Sequence, residues 1–356
     1  MRSVFVWASL ALSAFAAPNP KTTPWGDWND WSRECNPHNV KIRRDFDKLP
    51  THERKAFTDA INCLRDQPSG LDQQKYSAAI NRFFDYAVVH TNLTSRVHLD
   101  GYFLTWHRMF VWLFEKDLQE TCGWNGTMPY WNWPGTAGKL ESAPIFDGSE
   151  YSMSGNGLPN PLPPVYALGP NFSLPRGSGG GCVTTGPFAG MNYTMQVIPS
   201  NLLSQGAPLP PTTFVKNESC LTRDLNDAVS TLYLNQTAYE QALAAPDQAT
   251  FSVLLNGVFG GAALACTPLL TSQSALPLAR SSSHHKIRSD LHPEIADQLY
   301  GTMTAVNIPP SANVTLESVV PDFGYFKEDP ITIGELISTT AGPFCYRYEY
   351  PGQCCG

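Results

Sequence analysis

Three histidines, His90, His98 and His107, fall within eighteen residues of a largely apolar, aromatic stretch. A buried imidazole leaves ring nitrogens in need of partners, so three in one core segment are costly unless something binds them. Any fold available to this chain must therefore reconcile those side chains with an apolar interior. A metal ion is the simplest group that does so.

Apolar spacing places two of the three on helices. Ala79, Phe83, Tyr86 and His90 recur at steps of four, three and four, which predicts a helix over 76–90. His107, Phe110, Phe114 and Leu118 form a similar stripe and predict a helix over 103–118. Both histidines face the interior side of their helices, and 91–100 is the connection that carries His98. A further helix is predicted over 46–64, and another over 221–245. Pro18 to about Asn36 is an extended lead-in. Pro, Gly, Ser and Asn dominate 134–211, a long irregular excursion wrapped on the core. Short strand-like runs follow in 309–352, among them Ile331-Thr332-Ile333 and Tyr346-Arg347-Tyr348. No internal repeat or clean linker divides the chain, so 18–356 is expected to form one domain.

Residues 1–17 have the features of a secretory signal: Arg2, the apolar run from Val4 to Leu12, and the small-x-small site Ala14-Phe15-Ala16. Asn-x-Ser/Thr sequons at Asn92, Asn125, Asn171, Asn192, Asn217, Asn235 and Asn313 fit the same compartment. The 9 cysteines would there form disulfides with at least one left over. With 42% hydrophobic and 15% charged residues, the chain is composed as a stable secreted globule. A net charge of −7 without a basic cluster gives no footprint for nucleic acid, and no segment reaches membrane-spanning length. Nothing in the sequence sets an oligomeric state.

Imidazole suits copper, zinc or iron. Zinc sites commonly mix in Cys or carboxylate, and a non-haem iron triad needs an acid beside two histidines. The acids at hand are Asp85, Asp100 and Glu115. An all-imidazole cluster walled by Phe83, Phe84, Phe103, Trp106 and Phe110 leans to copper ahead of zinc. His38, His52 and His292 stand among polar or loop residues and are expected at the surface.

The segment His90-(x7)-His98-(x8)-His107, with Trp106-His107-Arg108, Glu115, Cys122-Gly123 and Pro129-Tyr130-Trp131-Asn132-Trp133, resembles the first copper region of tyrosinases and catechol oxidases. The match is to the short secreted fungal members of this type-3 copper family. It includes Arg43-Arg44-Asp45-Phe46, Asn81-Arg82-Phe83-Phe84-Asp85, Asn307-Ile308-Pro309-Pro310-Ser311 and the closing Phe344-Cys345-Tyr346-Arg347-Tyr348. Asn132 stands where the family usually has Asp, a change expected to alter a supporting hydrogen bond. The resemblance implies a mainly α fold, a four-helix bundle core with long irregular loops and a few short strands. It also implies two copper ions, the first held by His90, His98 and His107, and oxidation of phenols or o-diphenols to o-quinones by O2. Pigment formation and secondary-metabolite tailoring are the roles such chemistry serves. The chain stops near the Tyr-x-Tyr ending, so no shielding domain is expected after it.

The second copper region departs from the family pattern. Between Gly260 and Tyr300 there is no His-x-x-x-His; the chain reads Ala262-Ala263-Leu264-Ala265-Cys266-Thr267-Pro268-Leu269-Leu270-Thr271 and later Ser281-Ser282-Ser283-His284-His285. His285 is the candidate second-copper ligand, with His284 and His292 as poor substitutes. In a shifted frame, the Cys266/Thr267 and Leu270/Thr271 junctions can each encode histidine, four residues apart. Residues of about 262–283 are therefore expected to be read out of frame, through a mis-assigned intron or a genuine lesion. If the chain is made as written, a non-catalytic or mono-copper protein becomes the better expectation. An oxygen carrier would need additional domains, and a zinc hydrolase lacks a general-base Glu at a recognisable spacing.

Overall fold

Three long helices carry the computed structural model, which describes residues 35–97, 101–161, 165–169, 172–195, 209–246, 250–251, 254, 314–320, 326 and 330–349. They are α1 (Thr51–Asp66), α2 (Arg82–Val97) and α3 (Phe103–Cys122), and each packs against the other two. The long helices and the pairwise contacts among them give the mainly α architecture expected from the sequence.

The helix boundaries follow local chemistry. Pro50 holds φ −54° and ψ 150° just before α1, and Leu49 ahead of it is extended. The helix therefore starts at Thr51 rather than Phe46, and Phe46–Lys48 form a separate 3-10 turn capped by the Asp45 carboxylate. Residues 76–81 are not helical as the apolar stripe predicts. Ala78 donates its N–H to the carbonyl of Phe214, and the Asn81 side chain accepts from Phe84 N–H at the start of α2. In compensation α2 runs past His90 to Val97. Gly123 ends α3 in the left-handed region at φ 65°, where its N–H reaches the carbonyl of Leu118.

Interlocking aromatics fill the space between α2 and α3. Tyr86 packs edge-on against Phe110 and Phe114, and Phe83 meets Phe84 and Phe114. Each such side chain, fully buried, contributes on the order of 1.5–3 kcal/mol.

The first and last described stretches meet. Strand β1 (Lys41–Arg43) pairs in parallel with a strand at Tyr346–Tyr348, and a Cys35–Cys345 disulfide ties the same ends. Below them the guanidinium of Arg43 lies 3.7 Å from the Tyr346 ring centroid and bonds Glu115 of α3 at 2.5 and 3.1 Å. Burial alone would depress the Arg43 pKa, but the charge of Glu115 and the two tyrosines outweigh it and the pKa is raised. A Cys63–Cys122 disulfide joins α1 to the end of α3.

The excursion after α3 is less irregular than its composition implies. A short helix α4 (Trp133–Thr136) is followed by β2 (Gly157–Pro159), β3 (Val165–Gly169), β4 (Phe172–Pro175), β5 (Gly180–Val183), β6 (Asn192–Tyr193) and β7 (Ser219–Cys220). They pair antiparallel as β2–β5, β3–β4 and β6–β7, with a Cys182–Cys220 disulfide beside the last. Side chains bonded to backbone do the rest. Arg223, fully buried, donates to the carbonyls of Met153, Ser154 and Gly155, and Asp224 accepts from Gly177 and Gly179 N–H. Burial lowers the Arg223 pKa to about 9. Gly157 is required here, since a Cβ would come within 2.1 Å of the Gly181 carbonyl oxygen.

The helix expected over 221–245 is two, α5 (Asp227–Tyr233) and α6 (Gln236–Leu243), each started by an asparagine. Asn226 caps Val229 N–H and Asn235 caps Ala238 N–H. Ile331-Thr332-Ile333 leads into a short helix, α7 (Ile333–Leu336), instead of a strand, because Thr332 and Glu335 form a capping box. The Tyr346–Tyr348 run is a strand as expected, here named β8.

Candidate metal centre

His90 on α2 and His107 on α3 point at each other, Nε2 to Nε2, at 3.2 Å. His107 is 4% exposed. Its Nδ1 lies 2.6 Å from the Phe103 carbonyl one turn back, which fixes Nδ1 as the protonated nitrogen and leaves a lone pair on Nε2. A lone pair aimed at a second ring nitrogen across 3.2 Å can accept an N–H from it or be shared with it by one cation. At the ~2.0–2.1 Å of a metal–imidazole bond, nitrogens 3.2 Å apart subtend about 100° at one ion. The pair therefore fits two ligands of one metal ion.

The walls are apolar and rigid. Trp106, fully buried, stacks on Phe110 at 4.7 Å and touches both imidazoles, with centroids 4.9 Å from His107 and 6.0 Å from His90. Phe103 covers His107 at 4.7 Å. On α2 the Thr94 hydroxyl donates to the His90 carbonyl at 2.7 Å.

Among the described residues, the nearby acids Asp85 and Glu115 are turned away. Asp85 accepts from Ser69, Gly70 and Arg82, and Glu115 is held by Arg43. Arg82 bridges Asp85 to Asp117, which also accepts from the Tyr86 hydroxyl at 2.9 Å and the Thr121 hydroxyl at 2.6 Å. That lattice latches α2 to α3 below the histidines. Burial raises the Asp85 pKa despite its donors. It raises the Tyr86 pKa well above 10, with the charge of Asp117 second. Asp117, which apolar spacing gives no reason to select, is the α3 acid on which Arg82 and Tyr86 of α2 converge.

Among the described residues no group of three or more His, Cys, Asp or Glu stands ready to hold a metal. His98, Asp100, His284, His285, His292 and the stretch expected to be out of frame all lie outside the described residues, as do 1–17 and Cys266. His38 and His52 are exposed, as expected. Of the sequons, Asn125, Asn192 and Asn217 are exposed, Asn235 caps α6, and Asn92 is half-buried within α2, while Asn171 and Asn313 are outside. Asn132, the departure from the family pattern, donates from Nδ2 to Asp45 at 3.0 Å.

The fold and the paired histidines define a helical protein with a candidate metal centre, and comparison with known proteins identifies its family. Residues 80–310 match the family model described as the common central domain of tyrosinase. A tyrosinase P of Aspergillus terreus is 36% identical over 329 residues, covering 86% of this chain and 91% of the relative. An N-acetyl-6-hydroxytryptophan oxidase of Emericella nidulans is 33% identical over 350 residues, covering 89% and 94%. A polyphenol oxidase structure from Thermothelomyces thermophila superposes with a TM-score of 0.75 at 31% identity, covering 90% of this chain and 91% of that one. The chain belongs to the tyrosinase family.

Proposed function

We propose that this protein is a secreted, copper-dependent oxidase that uses O2 to convert a small phenol or o-diphenol to an o-quinone. The carrying observation is the 3.2 Å approach of His90 and His107 Nε2, with the His107 tautomer set by the Phe103 carbonyl. His90, His98 and His107 would hold the first copper, and His285, with ligands restored by the alternative frame, the second. Bound copper would supply the electron transfer between phenol and O2. The chain's own work is to hold each imidazole neutral and aimed, and to shut water out with Trp106, Phe103 and Phe110. The withdrawal of Asp85 and Glu115 favours an all-imidazole copper site over a zinc or iron site that uses either carboxylate. A relative named for oxidising N-acetyl-6-hydroxytryptophan makes a hydroxylated aromatic metabolite a natural substrate class. Among the described residues no helix is long and apolar enough to cross a membrane.

The second reading is a non-catalytic or mono-copper member of the family, favoured if the missing His-x-x-x-His is genuine. Transcript sequencing through 262–283 and metal analysis separate the two. Two coppers per chain with catechol oxidation support the oxidase, and one or none without turnover supports the remnant. His107→Ala should abolish catechol oxidation and first-site copper; activity that survives it would refute the assignment.

A further inference from the structure

A surface groove of about 840 Å3 lies between α1 and the loop after α3. That is within the ~300–1,000 Å3 range of small-ligand sites. Its floor is apolar, made by Leu49, Ala56, Ala60 and the Cys63–Cys122 disulfide, and its rim carries Lys41, Arg44, His52, Glu53 and Asp59. An apolar floor with a rim of donors and acceptors matches a pyranose, which has C–H faces and hydroxyl edges. The exposed Asn125 of the Asn125-Gly126-Thr127 sequon lines the same groove.

The sequon is held rigidly against it. The Thr127 hydroxyl donates to the Ile42 carbonyl at 2.8 Å, and Gln119 donates to the Gly126 carbonyl at 2.8 Å. Gly126 lies against the Trp124 indole so closely that a Cβ there would come within 2.5 Å of the ring. Trp124 in turn packs on Phe57 of α1 at 5.2 Å. A glycan on Asn125 thus leaves from a fixed point at the groove wall, and its first sugars need no loop motion to reach the floor. Tethering raises their effective concentration, so even weak contacts keep them seated.

We propose that the groove is the seat of the Asn125 N-glycan core, with the first sugars packed over Ala56 and Ala60 and covering the Cys63–Cys122 disulfide. This rests on passage through the secretory pathway and is independent of the copper chemistry. By contrast Asn192 and Asn217, also exposed, do not line this groove.

The full chain is secreted from a eukaryotic host, glycopeptides are mapped by mass spectrometry, and the native protein is digested with an endoglycosidase that cuts the chitobiose core. Asn125 should be occupied and released about tenfold more slowly than Asn192 and Asn217, a difference that vanishes on denaturation. Ala56→Trp, at an exposed helix position, should fill the floor and bring release at Asn125 up to the rate of the other sites with occupancy unchanged. Asn125→Gln should speed reduction of Cys63–Cys122 by a soluble thiol. An unoccupied Asn125, native release as fast as at Asn192, or a disulfide reduced at the same rate with and without the glycan overturns the proposal.

Discussion

Glu115→Gln is the substitution whose cost can be worked most directly from the structure. Arg43 is fully buried and, among the described residues, its guanidinium pairs with one carboxylate, Glu115, itself 5% exposed in its side chain. Two donors, Nε at 3.1 Å and Nη2 at 2.5 Å, converge on the same Oε2. At these separations and an effective dielectric near 20, the attraction is on the order of 5 kcal/mol. Gln keeps the size and an acceptor oxygen, so the change removes charge and little else. The Tyr346 ring at 3.7 Å returns part of the loss, on the order of 2 kcal/mol for a desolvated cation–π contact. A buried charge left without its partner typically costs about 3–5 kcal/mol, and with the ring's share this site should fall near the lower end. Arg43→Met combined with Glu115→Leu removes both charges and should recover most of that loss. Urea unfolding at neutral pH reads both variants, with an unchanged slope confirming that stability alone has moved. Because Glu115 lies two turns beyond His107 on α3, copper retention against a chelator should fall in the single variant and return in the double. A single variant within about 1 kcal/mol of the parent, or a double variant no better than the single, would refute the reasoning.

Asp47 and Asn132 offer two further tests around the same buried corner. Burial, followed by the charge of Asp45, raises the Asp47 pKa from 3.8 to about 6. The folded state then binds this proton more tightly than the unfolded one, so ionised Asp47 costs stability above pH 6 and the cost fades as pH falls towards 4. Asp47→Asn keeps an acceptor for Ile145 N–H. It should stabilise the protein at pH 7.5 by about 1–2 kcal/mol after allowing for solvent screening, with the gain shrinking below pH 6. Equal gain at pH 4.5 and 7.5 would count against this account. Asn132→Asp, the family's usual residue, would replace the donor to Asp45 with a second carboxylate. It should cost about 1–3 kcal/mol at pH 7.5, as followed by thermal melts; no loss would show that another donor takes over at Asp45.

The helices that carry the histidines were legible because their apolar stripes recur every three or four residues, whatever the rest of the chain does. Their ends were less so. Asn81, Asn226 and Asn235 each turn a side chain onto the backbone three residues ahead, a bond of local geometry that a hydrophobic pattern does not register. The Thr332/Glu335 capping box was readable as Thr-x-x-Glu, but the β-branched residues around it gave a stronger strand signal. The order within 134–211 was hidden for another reason. It depends on Arg223 and Asp224 reaching backbone groups roughly 45–70 residues away, which no periodicity records.

By itself, the sequence determined that His90, His98 and His107 gather in one apolar segment and to which family that segment is similar. Residue type and spacing carry that information locally. The tertiary structure alone decided that Asp85 and Glu115 stay out of the site, because Asp85 is drawn to Ser69 and Gly70, 16 and 15 residues away, and Glu115 to Arg43, 72 residues away. It also decided how the ends of the fold are clamped, through Cys35–Cys345 and the β1–β8 pairing across about 300 residues. Charges and thiols choose partners by distance in space, and that distance exists only once α1, α2 and α3 have packed.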